Sequence, residues 1–495
     1  MISVYKLNES FLKIECEQDV AQELSETFSF LVPGYKFMPM YKLGRWDGFV
    51  RLWSLGKRTL PIGLFDKFKE FCSDRNYEYT VLESKYGIPG ETFGISYSDT
   101  EEYIKTLGFD TREKPIEVRD YQIQGVHIWL NNYRAILLAS VGSGKSLIMG
   151  AFCRCQTEVL GNRVLIVVPT IGLTTQLKGD FIDYFGNTGW DGNDQIHCIS
   201  AGVDKTINKP ITISTFQSLT KVSKDWLNAF DCIIADEAQK VVAKSISDIF
   251  EKATEVKWKI GCTGTVHDTR CHILNIIGLT GPVAEIAPTA KLIENGQLVP
   301  LDIKCIILKY SEDIRRAMKK VDYETEIKYI VISEKRNNFI TKLAISCTGV
   351  TLVLYRFVEL QGLVLYNKIK ELTDRPVHFI NGDVTGNDRE EIRIAANLSN
   401  NDIIVASQGT FAVGINLPSI ENIIFAHPTK SKITNLQSIG RGLRLKEGKT
   451  SCMLFDIADD FSVGRSVNTT MNHFGERLKM YTNAGFQFKI TTIPF

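Results

Sequence analysis

The absences in this 495-residue sequence narrow its class before any motif is weighed. No stretch approaches the ~20 uninterrupted apolar residues that a membrane-spanning helix needs, which excludes an integral helical membrane protein. The first residues, Met1-Ile2-Ser3-Val4-Tyr5-Lys6, lack the basic, apolar and small-residue sectors of a secretory signal, so a cytoplasmic protein is expected. Excess charge of either sign is also missing. With 58 Lys and Arg against 57 Asp and Glu the formal net charge is +1, and any nucleic-acid surface must be a local patch. The 11 cysteines are odd in number and scattered from Cys16 to Cys452, with Cys153 and Cys155 the one close pair, as suits reduced thiols. No Cys/His group has zinc-site spacing, the 7 histidines stand apart from one another, and there is no nuclease motif.

What is present is ordinary globular material, 44% hydrophobic and 23% charged, enough for two or three domains. One stretch organises it. Ala135, Ile136, Leu137 and Leu138 read as a buried strand, and Leu147, Ile148, Met149, Ala151 and Phe152 as a helix packed on a sheet. Between them stand Ala139, Ser140, Val141, Gly142, Ser143, Gly144, Lys145 and Ser146. Strand, glycine-bearing loop, Gly-Lys-Ser and helix together make a phosphate cradle. Gly142 and Gly144 let successive N–H groups converge on an anion at a helix N-terminus. Lys145 is then placed to reach terminal phosphates, and the Ser146 hydroxyl to ligate Mg²⁺. Ala139 stands where the common pattern has Gly, and the alternative is a glycine-rich strand-to-helix turn.

Upstream, residues 1–90 alternate short strand-like runs with a helix-like run from Asp19 to Phe30, and read as a small α+β domain. Between Lys36 and Arg58 the basic residues Lys36, Lys42, Arg45, Arg51, Lys57 and Arg58 face the single acid Asp47, interleaved with Tyr35, Phe37, Tyr41, Trp46, Phe49 and Trp53. Such a mixture suits a surface that tracks a nucleic-acid backbone and stacks bases, with Arg45 and Arg51 as candidate contacts. Strand alternation puts Trp46, Val50 and Leu52 on one face, so Trp46 is expected in the core rather than on a stacking platform. Residues 91–112 are polar and read as a linker carrying at most a short helix. Arg119, Tyr121 and Gln122 open a helix to Leu130, and the Gln122 amide, donor and acceptor at once, is suited to an adenine edge.

Downstream, Val164–Val168 ahead of Pro169 and Thr170, Ile211–Thr215, and Cys232 to Ala235 are the continuous apolar runs of strands buried in a parallel sheet. The last leads into Asp236, Glu237, Ala238 and Gln239. Acids at the carboxyl end of a buried strand sit where α/β sheets bind ligands, so Asp236 is a candidate Mg²⁺ ligand and Glu237 a candidate for activating water. An acidic helix N-terminus is the alternative. A further strand, from Ile260, ends in Thr263, Gly264 and Thr265, hydroxyls able to sense a terminal phosphate. After a break near residue 300 and a charged, helix-prone segment from Ser311 to Asn338, a second set of buried strands appears. These are Thr351 to Tyr355, Val377–Ile380, Asp402 to Ala406 and Asn422 to Ala426. Gly382 and Arg389 follow the second, and Thr410, Gly414 and Asn416 the third. Gln437, Arg441 and Arg444 come after the fourth; the two arginines share a face if helical, and either reach phosphate or form a solvated basic face.

In this order and spacing the segments resemble the motif series of superfamily 2 helicases, over residues 119–445. Tyr121 and Gln122 resemble the Q motif, 139–146 motif I, Pro169, Thr170 and Gln176 motif Ia, and Thr215 with Gln217 the next DNA-facing motif. Asp236 to Gln239 resemble motif II, with Gln239 where many members carry His or Asp. Thr263 to Thr265 resemble motif III, Thr410 to Asn416 motif V, and Gln437 to Arg444 motif VI. Within the superfamily, Gly34-Tyr35-Lys36-Phe37 and Gly44-Arg45-Trp46-Asp47-Gly48, with Leu173 to Gln176 and Ser431 to Ile433, are similar to phage helicases of recombination. The resemblance implies two tandem RecA-like parallel-sheet domains, residues 113–300 and 301–460, after the small α+β domain and before a helical extension at 461–495. It implies ATP and Mg²⁺ held by motifs I, II and VI, and one strand gripped by motif Ia, Thr215, Gly382, Arg389 and Thr410. It further implies work on branched DNA, RNA–DNA hybrids and single-stranded nucleic acid, alongside recombination or replication proteins, by a monomer. A duplex translocase without strand separation is the alternative. Arg465, Arg477, Lys479 and Lys489 are either further nucleic-acid contacts or a solvated helix face.

Overall fold

Strands that read as unbroken apolar runs need cover on both faces, and the architecture supplies it with helices packed on two parallel sheets. The computed structural model of the protein describes residues 2–110, 115–140, 142–200, 202–239, 244–265, 270–384, 386–410 and 417–495. It forms two compact units, Met1–Ala139 with Ser143–Ala287, and Ser140–Gly142 with Pro288–Phe495.

The first unit opens with a small α/β domain. Its strands are β1 (Ile2–Lys6), β2 (Phe11–Glu15), β3 (Ser29–Leu31), β4 (Phe49–Arg51), β5 (Thr59–Pro61) and β6 (Tyr79–Val81). They give a mixed sheet in the order β5-β2-β1-β6 and a separate β3-β4 ladder. Alternation buries Val4, Leu12 and Ile14 against Leu24 of the helix Gln18–Thr27 and Phe68 of the helix Phe65–Asp74. The expectation for Trp46 is corrected. Gly48, at φ 87°, and the Asp47 carboxylate accepting from Phe49 N at 3.1 Å make a turn that breaks the alternation before β4 starts. Trp46 therefore stands outside the strand, half-buried, with its indole N–H donating to Phe49 O at 2.8 Å. The buried indole is Trp53, counted above among the interleaved aromatics.

This domain is fused to the sheet that follows. A Cβ on Gly63 would lie 1.9 Å from Ile277 O, so only glycine lets the turn Ile62–Leu64 rest on the helix Arg270–Thr280, whose Leu274 joins the small domain's core. Beside it runs a polar seam. Lys259 Nζ donates to Ser10 Oγ at 2.5 Å and to Phe250 O at 2.8 Å, while Arg134 pairs with Glu9 and Lys6 with Glu91. The residues read as a linker with a short helix carry the helix Tyr97–Thr106, whose buried Thr100 lies 3.1 Å from His127 Nδ1 on the helix Asp120–Asn131.

The rest of the first unit is a seven-stranded sheet of β7 (Ile136–Ala139), β8 (Val164–Val168), β9 (Ile196–Ile199), β10 (Ile211–Thr215), β11 (Cys232–Asp236), β12 (Trp258–Thr263) and β13 (Val283–Ala287). All pairings are parallel, in the order β13-β7-β12-β11-β8-β10-β9. Neighbouring β7, β12 and β11 thus end side by side. The second unit repeats the plan with β14 (Leu301–Lys309), β15 (Val350–Tyr355), β16 (Val377–Ile380), β17 (Ile403–Ser407), β18 (Ile420–Phe425), β19 (Cys452–Asp460) and β20 (Phe488–Pro494), again all parallel, in the order β16-β17-β15-β18-β19-β14-β20.

The C-terminal stretch is more than a helical extension. The helix Thr469–Asn483 is followed by β20, which adds an edge strand to the second sheet along β14. Arg477 on that helix is 1% exposed, so neither of the readings offered for it holds. It grips Asp456 of β19 at 2.7 and 2.8 Å and donates to Thr429 O at 3.1 Å, while Tyr481 donates to the same carboxylate at 2.8 Å. Removing one partner of such a buried pair strands the other charge. Arg477→Ala is expected to destabilise the second unit by about 3–5 kcal/mol, read as a lowered unfolding midpoint and earlier proteolysis of the second unit. A midpoint equal to wild type would contradict it.

Candidate nucleotide site and nucleic-acid groove

The loop after β7 is shaped by two left-handed glycines, Gly142 at φ 87° and Gly144 at φ 82°, the latter leading directly into the helix Lys145–Arg154. Gly144 is needed twice over, since a Cβ there would also come within 2.3 Å of Gln122 Nε2. Lys145 Nζ donates to Ala139 O at 2.9 Å, and the Ser146 hydroxyl lies 2.8 Å from that of Tyr184. Ser140 is half-buried just past the strand end, and Val141 lies outside the described residues.

Gln122 behaves differently from the expectation that its amide faces a base. It is 5% exposed, its Nε2 donates to Ser143 O at 3.0 Å, and its Oε1 accepts from Arg119 N at 3.0 Å. Tyr121 Oη donates to the same Ser143 carbonyl at 3.0 Å and accepts from Arg119 Nη1 at 2.9 Å. Arg119, Tyr121 and Gln122 thus brace the loop. The sequence hid this because the partner is a backbone carbonyl 21 residues downstream of Gln122.

Asp236 ends β11, and Glu237 follows with φ 58°, a left-handed conformation that costs a non-glycine residue about 1–3 kcal/mol and is typical of functional positions. Burial, and then the neighbouring Glu237 charge, raise the Asp236 carboxyl above the ordinary carboxylate range, with Lys145 opposing. Crowded anions of this kind suit a cation. Gln239 is the link between motifs. Its Nε2 donates to Glu237 Oε2 at 2.5 Å, and its Oε1 accepts from the Thr263 hydroxyl at the end of β12. Thr263 Oγ1 is in turn 2.6 Å from Thr265 O and 3.2 Å from Thr265 N, closing the turn around Gly264.

On the same unit, the carboxyl ends of β8 and β10 form a groove of about 560 Å³. It gathers the predicted Pro169, Thr170, Thr215 and Gln217, with Gln217 Nε2 donating to Pro169 O at 3.4 Å. Gln176 is exposed on the neighbouring helix Ile171–Phe185 but does not line the groove. Lys205 and Lys221 do, and sequence reasoning missed them: they are single basic residues in loops, without periodicity or motif.

In the second unit, Gly382 is exposed in the turn after β16 and Thr410 lies 2.7 Å from Ser407 Oγ just beyond β17. Arg389 belongs to the helix Gly386–Ser399, and its side chain, like Gly414 and Asn416, lies outside the described residues. Gln437 and Arg441 sit on the helix Lys432–Gly442, but that helix ends before Arg444, so the two arginines do not share a helical face. A cation caps the end instead: Lys449 Nζ donates to Gly442 O at 2.6 Å and Arg444 O at 3.2 Å. In the small domain Arg45 is exposed, while Arg51 is paired with Asp47.

The chain matches three family models: the N-terminal domain of the DNA helicase UvsW over residues 2–82, the res subunit of type III restriction enzymes over 115–268, and the helicase conserved C-terminal domain over 334–446. It is similar to the ATP-dependent DNA helicase uvsW of Enterobacteria phage T4, at 32% identity over 99% of each chain. A DNA 3'-5' translocase, XPB2 of Sulfurisphaera tokodaii, is 29% identical over 43% of this chain and 45% of its own. The crystal structure of T4 UvsW covers 100% of this chain and 99% of its own with a TM-score of 0.53 at 30% identity.

Because Gln239 joins Glu237 to Thr263, shortening it should separate binding from turnover. Gln239→Ala is expected to leave ATP affinity within about threefold while lowering ATP turnover on the order of 100-fold, the scale of losing one preorganised polar contact in a reacting site. ATP affinity by fluorescent-analogue competition and steady-state phosphate release check it. Normal turnover would contradict the link.

Proposed function

Because the chain belongs to the UvsW family of superfamily 2 ATP-dependent DNA helicases, we propose that its work is the remodelling of branched nucleic acids. The substrates of this reading are R-loops, Holliday junctions and stalled forks, which it would unwind, migrate and regress, with annealing of complementary strands as a further outcome. The support for an ATP-driven motor is the floor formed where β7, β11 and β12 end, in which Glu237, Gln239 and Thr263 make one hydrogen-bonded chain.

Each residue in this mechanism has a task set by its chemistry. The N–H groups of the loop and Lys145 bind the phosphates. Ser146 and Asp236 are oxygen donors of the hard type that Mg²⁺ takes, and the crowding of Asp236 and Glu237 fits a cation there. Mg²⁺, when bound, neutralises charge on the phosphates. Glu237 orients the attacking water and accepts its proton, held at its carboxylate by Gln239. Thr263, Gly264 and Thr265 pass the state of the phosphates to the sheet, and Arg441 and Arg444 stabilise charge in transfer. The motif resemblance assigns Gln437 and, outside the described residues, Gly414 and Asn416 to the nucleotide. Pro169, Thr170, Thr215 and Gln217 grip one strand in the groove, with Gln176, Gly382, Arg389, Thr410, Arg45 and Arg51 as further contacts.

The energetics favour remodelling over brute unwinding. Exchanging an RNA–DNA hybrid for a DNA duplex is nearly isoenergetic, against roughly 1.4 kcal/mol of stacking per DNA base-pair step. Branch migration likewise makes as many pairs as it breaks, so a motor need only bias the exchange. The second reading, a duplex translocase without strand separation, is favoured by the likeness to a protein described as a DNA translocase.

Strand exchange on a labelled R-loop, a four-way junction and a forked duplex separates the two. Resolution of the first two with ATP, absent without ATP and with Lys145→Ala, is expected. ATP turnover stimulated by DNA without strand displacement would establish the translocase instead.

A further inference from the structure

Between Gly34 and Gly44 the small domain carries a projection that its core does not use. The turn Tyr35–Phe37 and the short helix Pro39–Lys42 close on themselves through backbone bonds, Phe37 N to Gly34 O at 2.9 Å, Lys42 N to Met38 O at 3.1 Å and Arg45 N to Met40 O at 2.9 Å. Tyr35 anchors the projection. Its ring meets that of Tyr41 edge-on at 4.7 Å and packs so close to Gly48 that a Cβ there would come to 2.4 Å.

Held in this way, the projection presents apolar side chains to water. Phe37 is 81% exposed, Leu43 64% and Met40 50%. A structured, exposed apolar cluster marks a contact surface. Lys36, Lys42 and Arg45 are exposed among these side chains, and no carboxylate occurs between Gly34 and Trp46. The matching partner is anionic and has apolar faces within a few ångströms of its charges. Nucleic acid has both, but a continuous duplex hides its base faces, whereas a branch point uncovers them. Phe, Leu and Met are also the side chains that serve as wedges between base steps.

We propose that this projection is a branch-point wedge, with Phe37 and Leu43 stacking on the last bases where strands part and Lys36, Lys42 and Arg45 on the flanking phosphates. The inference rests on the helicase reading and adds where on the chain unpaired bases are met. Because the small domain is fused to the first sheet through Gly63 and the Lys259 seam, the wedge is carried by the unit that holds Lys145 and Asp236.

The test is a titration of the full chain, without ATP, onto a forked duplex bearing 2-aminopurine at the fork and onto the same duplex with blunt ends. Wild type is expected to bind the fork more tightly and to brighten the probe as its base unstacks. The double variant Phe37→Ser, Leu43→Ser should lose about tenfold in fork affinity, the scale of one lost base–aromatic stack, together with the brightening. Phe37→Trp should keep the fork affinity, and unfolding midpoints equal to wild type show that the variants fold. Wild-type fork affinity and brightening in the double variant would overturn the wedge. So would a loss of self-association in sedimentation with fork binding intact, which would make the patch an interface between copies. If wild type hydrolyses ATP without stimulation by DNA, the helicase reading falls and the wedge with it. Stimulated hydrolysis with an unaltered double variant sinks the wedge alone.

Discussion

The constraint on which the first unit depends is that its ligand chemistry must be assembled at the ends of strands whose interiors are closed to solvent. β8, β10, β11 and β12 are buried on both faces, and the polar groups within them, Thr212, Ser214 and Lys259, are enclosed, so a carboxylate open to a ligand stands first at the carboxyl edge. There Gln239 satisfies Glu237 on one side and Thr263 on the other, and is itself 3% exposed. A buried amide left with either end unpaired costs about 1–3 kcal/mol, so the three side chains are fixed as a group. The strained backbone of Glu237 is affordable only because that group holds it.

The same logic governs the loop that precedes it. Gln122 and Tyr121 converge on one carbonyl, that of Ser143, and Gly144 is bare because Gln122 occupies the space of its missing Cβ. The helix that supplies the brace belongs to the same unit as the small domain, whose seam with the sheet is polar and enclosed. Burial, and then the Arg134 charge, hold the Lys259 ammonium well below its ordinary pKa, yet it has Ser10 and the Phe250 carbonyl as partners. Such a seam is specific more than it is strong, since each buried charge is costly unless every partner stays in place.

How much of this was legible follows from what each feature depends on. Val164–Val168 is a strand with the bounds its apolar run predicts, because burial on two faces leaves an unambiguous signature, whereas Val377–Ile380, expected to be buried, is a half-buried edge strand. Trp46 was misplaced because a turn at Asp47 and Gly48 shifts the register, and a single side-chain bond decides that turn. The shared face of Arg441 and Arg444 requires a helix through both, and the helix ends at Gly442, at a terminus held by Lys449, whose role depends on three carbonyls brought together by folding. Arg477 reads as a surface cation in the sequence because its partner, Asp456, stands 21 residues upstream and meets it only in the fold. The positions of Lys145 at a helix start and of Asp236 and Thr263 at strand ends follow from the apolar runs before them. Lys205 and Lys221 were not readable, because loops carry no period.

The central claim is that nucleic acid in the groove of β8 and β10 speeds chemistry at the ends of β7, β11 and β12. Its most direct measurement is steady-state ATP turnover by the full chain as single-stranded DNA is titrated in. The account predicts a saturable rise in turnover whose half-point moves to higher DNA concentration as salt is added, because lysines and phosphates meet in the groove. A turnover rate that ignores DNA at every salt concentration would contradict it.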